Sequence, residues 1–308
     1  MSSPSNAGPA EPQAMQPTAL TSTRPFYWSV RRELWEYRSA YIAPLAVAGI
    51  VLFGFLIRIV SLPHTVRAAA SMPPMDAYIE LAKPYASAVV SVAFAGLIVS
   101  IFYSLGALNN ERRDRSILFW KSLPVSDVIT VLSKAFIALA VLPVIVFVIA
   151  SATTLVMLIL GSAVVAANGV NPAALWAHWP MLKMSLVLIY ALAVTALWYA
   201  PIYGWLLFVS GWARRVPFLW AVLPPLGLCI LEKIAFDTSH FASLLGYRFS
   251  GVFAEAFVMP PHGDKVIDQL ALLAPARFLS SPGLWSGLLI AAGFLAAAIW
   301  LRRYREPS

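Results

Sequence analysis

Six stretches of this chain are each long and apolar enough to cross a bilayer, and no other feature constrains its fold as strongly. A helix rises 1.5 Å per residue, so about 20 mostly apolar residues cross a hydrocarbon core about 30 Å thick. The stretches are 41–60, 85–108, 135–161, 184–212, 216–235 and 284–301. Arg58 stands near the end of the first and Lys134 at the entry of the third. Pro224-Pro225 interrupt the fifth, and Glu232-Lys233 meet its end. Composition agrees: 12% of the 308 residues are charged, where soluble domains carry about 25%. The chain therefore reads as an all-α integral membrane protein with six transmembrane helices. Soluble enzymes, disordered proteins and nucleic-acid-binding domains fit poorly, and the net charge of +8 is read by its location rather than its total.

That location sets an orientation. With both termini cytoplasmic, along with 109–134 and 213–215, the inner side holds fourteen of the 22 Lys and Arg residues. The outer side keeps eight, and the acids divide evenly, so nearly all the net charge faces inward, as the positive-inside rule requires. Residues 241–258 are apolar enough to suggest a seventh span. Spanning would put Arg248 and Glu255 at depth, at about 2.5–3.5 kcal/mol for a central charge, and would turn Arg302, Arg303 and Arg305 outward. The segment is read instead as surface or re-entrant helices within an extracytoplasmic stretch, 236–283.

Residues 1–23 are rich in Pro, Ser and Ala and are expected to be a disordered tail; 306–308 form the C-terminal end. Between the tail and the first span, Phe26, Val30, Leu34, Tyr37 and Tyr41 recur at a helical period. Arg31, Arg32, Glu36 and Arg38 supply charge, and Trp28 and Trp35 suit a headgroup layer. Residues 24–40 are thus expected to form an N-terminal interfacial amphipathic helix.

Chemistry-bearing motifs are scarce. The chain has no G-x-x-x-x-G-K-[ST] phosphate loop, G-x-G-x-x-G, G-x-S-x-G or H-E-x-x-H. Within the spans the ionisable groups are Arg58 and Glu232-Lys233, which read as side chains snorkelling to the headgroups, with a polar ring at an outer gate as the alternative. His64, His178, His240 and His262 fall singly in outer segments, without ligand spacing, and Cys229 is the one cysteine. No catalytic, cofactor or metal residue is assigned. Pro224 and Pro225 remove two backbone donors in mid-span, giving a packing kink or a gating hinge. Gly283, Gly287 and Ala291 put small residues on one helix face for close approach. Trp198, Tyr199, Tyr203 and Trp205 read as an aromatic belt.

The most informative stretch is the cytoplasmic loop after the second span. Glu111, Arg112, Arg113, Asp114 and Arg115 are followed by Phe119, Trp120, Lys121, Leu123 and Pro124. Ser126 is placed to cap the next helix, with Asp127 favoured in its first turn by the helix dipole. Large apolar groups at a water-facing turn leave two readings open. One is an interfacial helix; the other is a docking knob for a cytoplasmic protein, since aromatic and Arg side chains are the usual interface anchors.

This loop, Glu111-Arg112-Arg113-Asp114-Arg115-Ser116 and then Phe119 to Ser126, resembles the cytoplasmic loop of ABC-2 type transporter permeases. The order of an amphipathic helix, six spans and a long outer segment before the last is also similar. The resemblance implies one ABC-2-like transmembrane domain over 24–305, with 109–130 as the coupling loop that docks a separate P-loop ATPase. It implies ATP and Mg²⁺ on that partner, a second permease copy or homologue, and a multi-pass place in a bacterial inner membrane. It further implies export by alternating access and no catalysis in this chain. The alternatives are a non-transport scaffold that recruits a cytoplasmic partner through the same loop, and a single-component carrier or membrane enzyme.

Overall fold

The computed structural model describes residues 23–113, 126–258 and 269–304. They are helical almost throughout; among them the single β contact is an isolated bridge between Phe257 and Leu273. Six helical segments are long and apolar enough to cross a membrane: Ser39–Ala69, Pro74–Glu111, Asp127–Ala167, Ala173–Trp198, Pro217–Phe236 and Pro282–Tyr304. The chain is thus a multi-pass helical membrane protein by length and composition.

Helix α1 (Thr23–Glu36) leads into α2 (Ser39–Arg58), a short 3-10 turn and α3 (Leu62–Ala69). Next, α4 (Pro74–Gly106) runs 33 residues, about 50 Å at 1.5 Å per residue, so it outruns the span expected at 85–108. After α5 (Asn109–Arg113), α6 (Asp127–Phe136) begins on a Ser126 cap whose hydroxyl accepts from Ile129 N at 3.3 Å. Asp127 then occupies the first turn, as expected.

A π-helical turn, Ile137–Val141, joins α6 to α7 (Leu142–Ala167). Pro143 accounts for it. A proline ring collides with the carbonyl four residues back, here Leu139, and offers no N–H, so the backbone widens to let it in.

The span expected over 184–212 is two helices rather than one: after the short α8 (Ala173–His178), α9 (Met181–Trp198) stops and α10 (Ala200–Trp212) starts afresh. Pro201 is the cause, because as the second residue of a new helix its missing N–H is harmless, whereas inside a continuous one it would clash with Leu197. Val216, at φ 46° and ψ 66°, turns the chain into α11 (Pro217–Phe236). A β-branched residue in the left-handed region costs about 1–2 kcal/mol. The chain then follows α12 (His240–Ala256), α13 (Pro275–Ser280) and α14 (Pro282–Tyr304).

Small residues set the packing, as they must where apolar contact with lipid competes with contact between helices. Ala88, Ala138 and Ala150 are fully buried. Gly96 lets α4 meet Val146 of α7, where a Cβ would overlap the valine. At Gly204 a Cβ would come within 3.2 Å of the Ala291 carbonyl, so α10 and α14 lie together. Hydroxyls such as Ser104 (to Ser100 O at 2.8 Å) and Thr153 (to Ile149 O at 2.7 Å) bond inside their own helices, as the bilayer interior favours.

Candidate functional site

The stems of the 109–127 loop meet in a buried knot of charge. The chain leaves α4 and enters α5 where Ser210 of α10 accepts from the N–H groups of both Leu108 and Asn109, each at 2.9 Å. Those are donors a helix start would otherwise leave without a partner. The anchored turn presents Glu111, 6% exposed. Arg302, near the end of α14, donates from Nη1 to Glu111 Oε2 at 2.6 Å and from Nε to Asp127 Oδ1 at 2.9 Å. One guanidinium therefore holds the residues on either side of the loop.

Lys134, 1% exposed, closes the knot from the last turn of α6. Its Nζ donates to Glu33 Oε1 of α1 at 2.6 Å and lies 3.1 Å from Glu111 Oε1. Arg32 approaches Glu111 at 4.0 Å while pairing with Glu36, so three carboxylates at the centre face three cations. The same two helices also meet through Phe26 of α1, edge-on to Phe136 of α6 at 5.5 Å. Such balance matters because buried charges are costly unless paired. Four elements far apart in sequence (α1, α5, α6 and α14) are locked together here.

Glu111 is the loop residue the sequence reading shares with this knot. Arg112 and Arg113 are described in α5 by their backbone alone. Asp114, Arg115, Phe119, Trp120, Lys121, Leu123 and Pro124 lie outside the described residues. On α1, Arg32 turns to the knot, whereas Arg31 sits between two rings, 5.3 Å from Trp28 and 5.8 Å from Trp35, and Trp35 is 72% exposed. Arg38 is exposed at the turn into α2. Glu33, Asp127, Lys134 and Arg302 were not singled out together in the sequence. The signal for Glu33 is its place beside Phe26 and Val30 on the face of α1 turned to α6.

A second, half-buried cation lies at the α9–α10 break. Arg248 of α12 places its guanidinium 4.6 Å over the Trp198 ring and donates to the carbonyls of Trp198 (3.2 Å) and Gly283 (2.9 Å). Trp198 answers by donating its indole N–H to the Arg248 carbonyl at 2.8 Å. The break frees the C-terminal carbonyls of α9, where the helix dipole favours a cation, and Arg248 occupies that position. Burial pulls its guanidinium down from the ordinary value, which Tyr247 partly offsets.

This cradle corrects one expectation and bears on two others. Trp198 and Tyr203 are not a lipid-facing belt, since they are 0% and 5% exposed and packed inside the bundle. The small-residue face of α14 is used internally, for a Cβ on Gly287 would come within 2.7 Å of the Arg248 nitrogens. Arg248 itself is half-buried between helices, satisfied by carbonyls and a π face. Elsewhere, α11 runs unbroken through Pro224 and Pro225. Among the described residues no group of three or more His, Cys, Asp or Glu is placed to hold a metal.

The knot and the cradle sit at the two ends of one helix, α14. Arg302 near one end of α14 grips the loop stems, and Gly283 and Gly287 near the other end receive Arg248. Compared with known families, curated proteins and solved structures, the chain matches none.

Proposed function

We propose that this chain is the permease subunit of an ATP-driven transporter of the ABC-2 kind, docking a separate P-loop ATPase through its 109–127 loop and exporting its substrate. The observation that carries the reading is the double grip of Arg302 on Glu111 and Asp127, residues that bracket the segment resembling a coupling loop. A loop that must pass a push from a water-soluble partner into the bilayer needs stems that do not yield, and a buried ion-pair network is stiff and specific.

In this reading α1 lies in the inner interface, its exposed Trp28–Arg31–Trp35 stack among the headgroups, both termini inside. Closure of the ATPase pair, with ATP and Mg²⁺ bound there, displaces the loop. Arg302 carries the displacement into α14, and α14 delivers it to Arg248 and α12. A second permease copy or homologue completes the pathway, and a bacterial inner membrane is the expected location.

The test is purification of the tagged chain in mild detergent, with mass spectrometry of what accompanies it. A stoichiometric P-loop ATPase is expected, lost in Trp120→Ala and Arg115→Glu while both variants still insert. A chain that emerges alone overturns the docking assignment, as does ATPase retained by both variants. A partner without a nucleotide-binding motif selects the scaffold reading instead.

A further inference from the structure

At the end of α2 remote from the charge knot, the helices part around a cavity of about 280 Å³ walled by α2, α3, α4 and α7. Its floor is apolar: Phe55, Leu81 and Met157 are 7%, 3% and 1% exposed. Its rim is charged, with Arg58 from the last turn of α2 and Glu80 from α4. Both are exposed, and although they line one cavity they form no ion pair with each other or with any described residue. Two opposite charges that share a cavity without pairing leave room for something to come between them.

The remaining polar groups narrow the choice. Ser61 gives its hydroxyl proton to the Arg58 carbonyl at 2.8 Å, and Thr65 gives its own to Ser61 O at 3.3 Å. What they present to the cavity is therefore lone pairs, which, like the Glu80 carboxylate, accept from an N–H donor. A guanidinium is suited to a phosphate. The volume is near the lower end of ligand pockets, about 300 Å³, enough for a headgroup. On the adjoining face of α2, Ile50, Phe53 and Ile57 are each more than 60% exposed and offer apolar surface for acyl chains.

We propose that this cavity seats the headgroup of a zwitterionic phospholipid with a primary ammonium, its phosphate on Arg58 and its ammonium on Glu80. The inference rests on the membrane-spanning fold and is independent of the transport reading. It treats Arg58 as half of a specific site rather than a side chain simply snorkelling outward.

Three lipids with the same acyl chains separate this from ordinary solvation by lipid: phosphatidylethanolamine, phosphatidylcholine and phosphatidylglycerol, titrated onto the detergent-purified protein by native mass spectrometry. The ethanolamine lipid is expected to bind about tenfold more tightly than either other, the worth of one charge-assisted hydrogen bond. Glu80→Gln should abolish that preference, and Arg58→Gln should weaken all three. Gly54→Leu fills the cavity from its wall at a position where an added Cβ meets nothing within 4 Å. It should lose the preference while its melting temperature without lipid is held. Equal binding of the three lipids by the wild type, or an ethanolamine preference that survives Glu80→Gln or Gly54→Leu, overturns the proposal. Soluble phosphoethanolamine protecting the protein as well as the lipid does would overturn the lipid as occupant.

Discussion

The charge knot and the Arg248 cradle both bury cations against α14, and they satisfy them by opposite means. In the knot, Lys134 and Arg302 are neutralised by full carboxylates from three elements. In the cradle, Arg248 meets two carbonyls and one indole face and, among the described residues, no carboxylate. Paired formal charges hold rigidly but suffer greatly from the loss of one member, because the survivor is stranded. A cation held by carbonyls strands no formal charge when it leaves. On this physical ground the knot should resist opening while the cradle opens at modest cost, the difference that the proposed permease reading asks of the two ends of one helix.

The largest effect that tests this contrast is Lys134→Met. It leaves Glu33 without its cation beside Glu111, which keeps Arg302, and unfolding in detergent should show a loss of about 3–5 kcal/mol. Adding Glu33→Gln removes one stranded charge and should restore part of that loss. Arg248→Met should come next, at about 2 kcal/mol for its hydrogen bonds from a charged donor, with no partner substitution able to rescue it. If the two single variants cost the same, or if Glu33→Gln worsens Lys134→Met, the distinction between knot and cradle fails.

The smallest effect sharpens it. Gly287→Ala pushes a methyl toward the Arg248 guanidinium, and because that is the free end of a long side chain the cost should be about 1 kcal/mol. In the Arg248→Met background the penalty should disappear, which a double-mutant cycle measures directly.

What could be read from the sequence follows from the range of the forces involved. Apolar runs declare membrane helices because burial in lipid depends on length and composition alone, and the Ser126 cap was legible because capping is local. The α9–α10 break was passed over because apolarity continues across Tyr199 and Ala200; the signal was Pro201, a helix-start residue inside an apolar run. The knot was less legible still. Lys134 and Glu33 are 101 residues apart, and no periodicity links them until α1 has packed on α6. Trp198 shows the reverse error, for an aromatic near the end of an apolar run looks the same whether it meets headgroups or, as here, an arginine from another helix.

The π-turn at Ile137–Val141 adds an angular consequence. Each residue of an α-helix turns the chain by about 100°, so the extra residue in that turn fixes the phase between the two halves of this span. Lys134 faces Glu33 and Glu111 while Val146 and Ala150 face the bundle because the two halves are set at that offset. Were the turn to relax to ordinary α geometry with all its residues kept, α6 would rotate relative to α7 by most of one such step. The ammonium would swing away from its carboxylates with every residue of the knot still in the sequence. Pro143, which shapes the turn, thus acts as a gear stop: it sets which way Lys134 points.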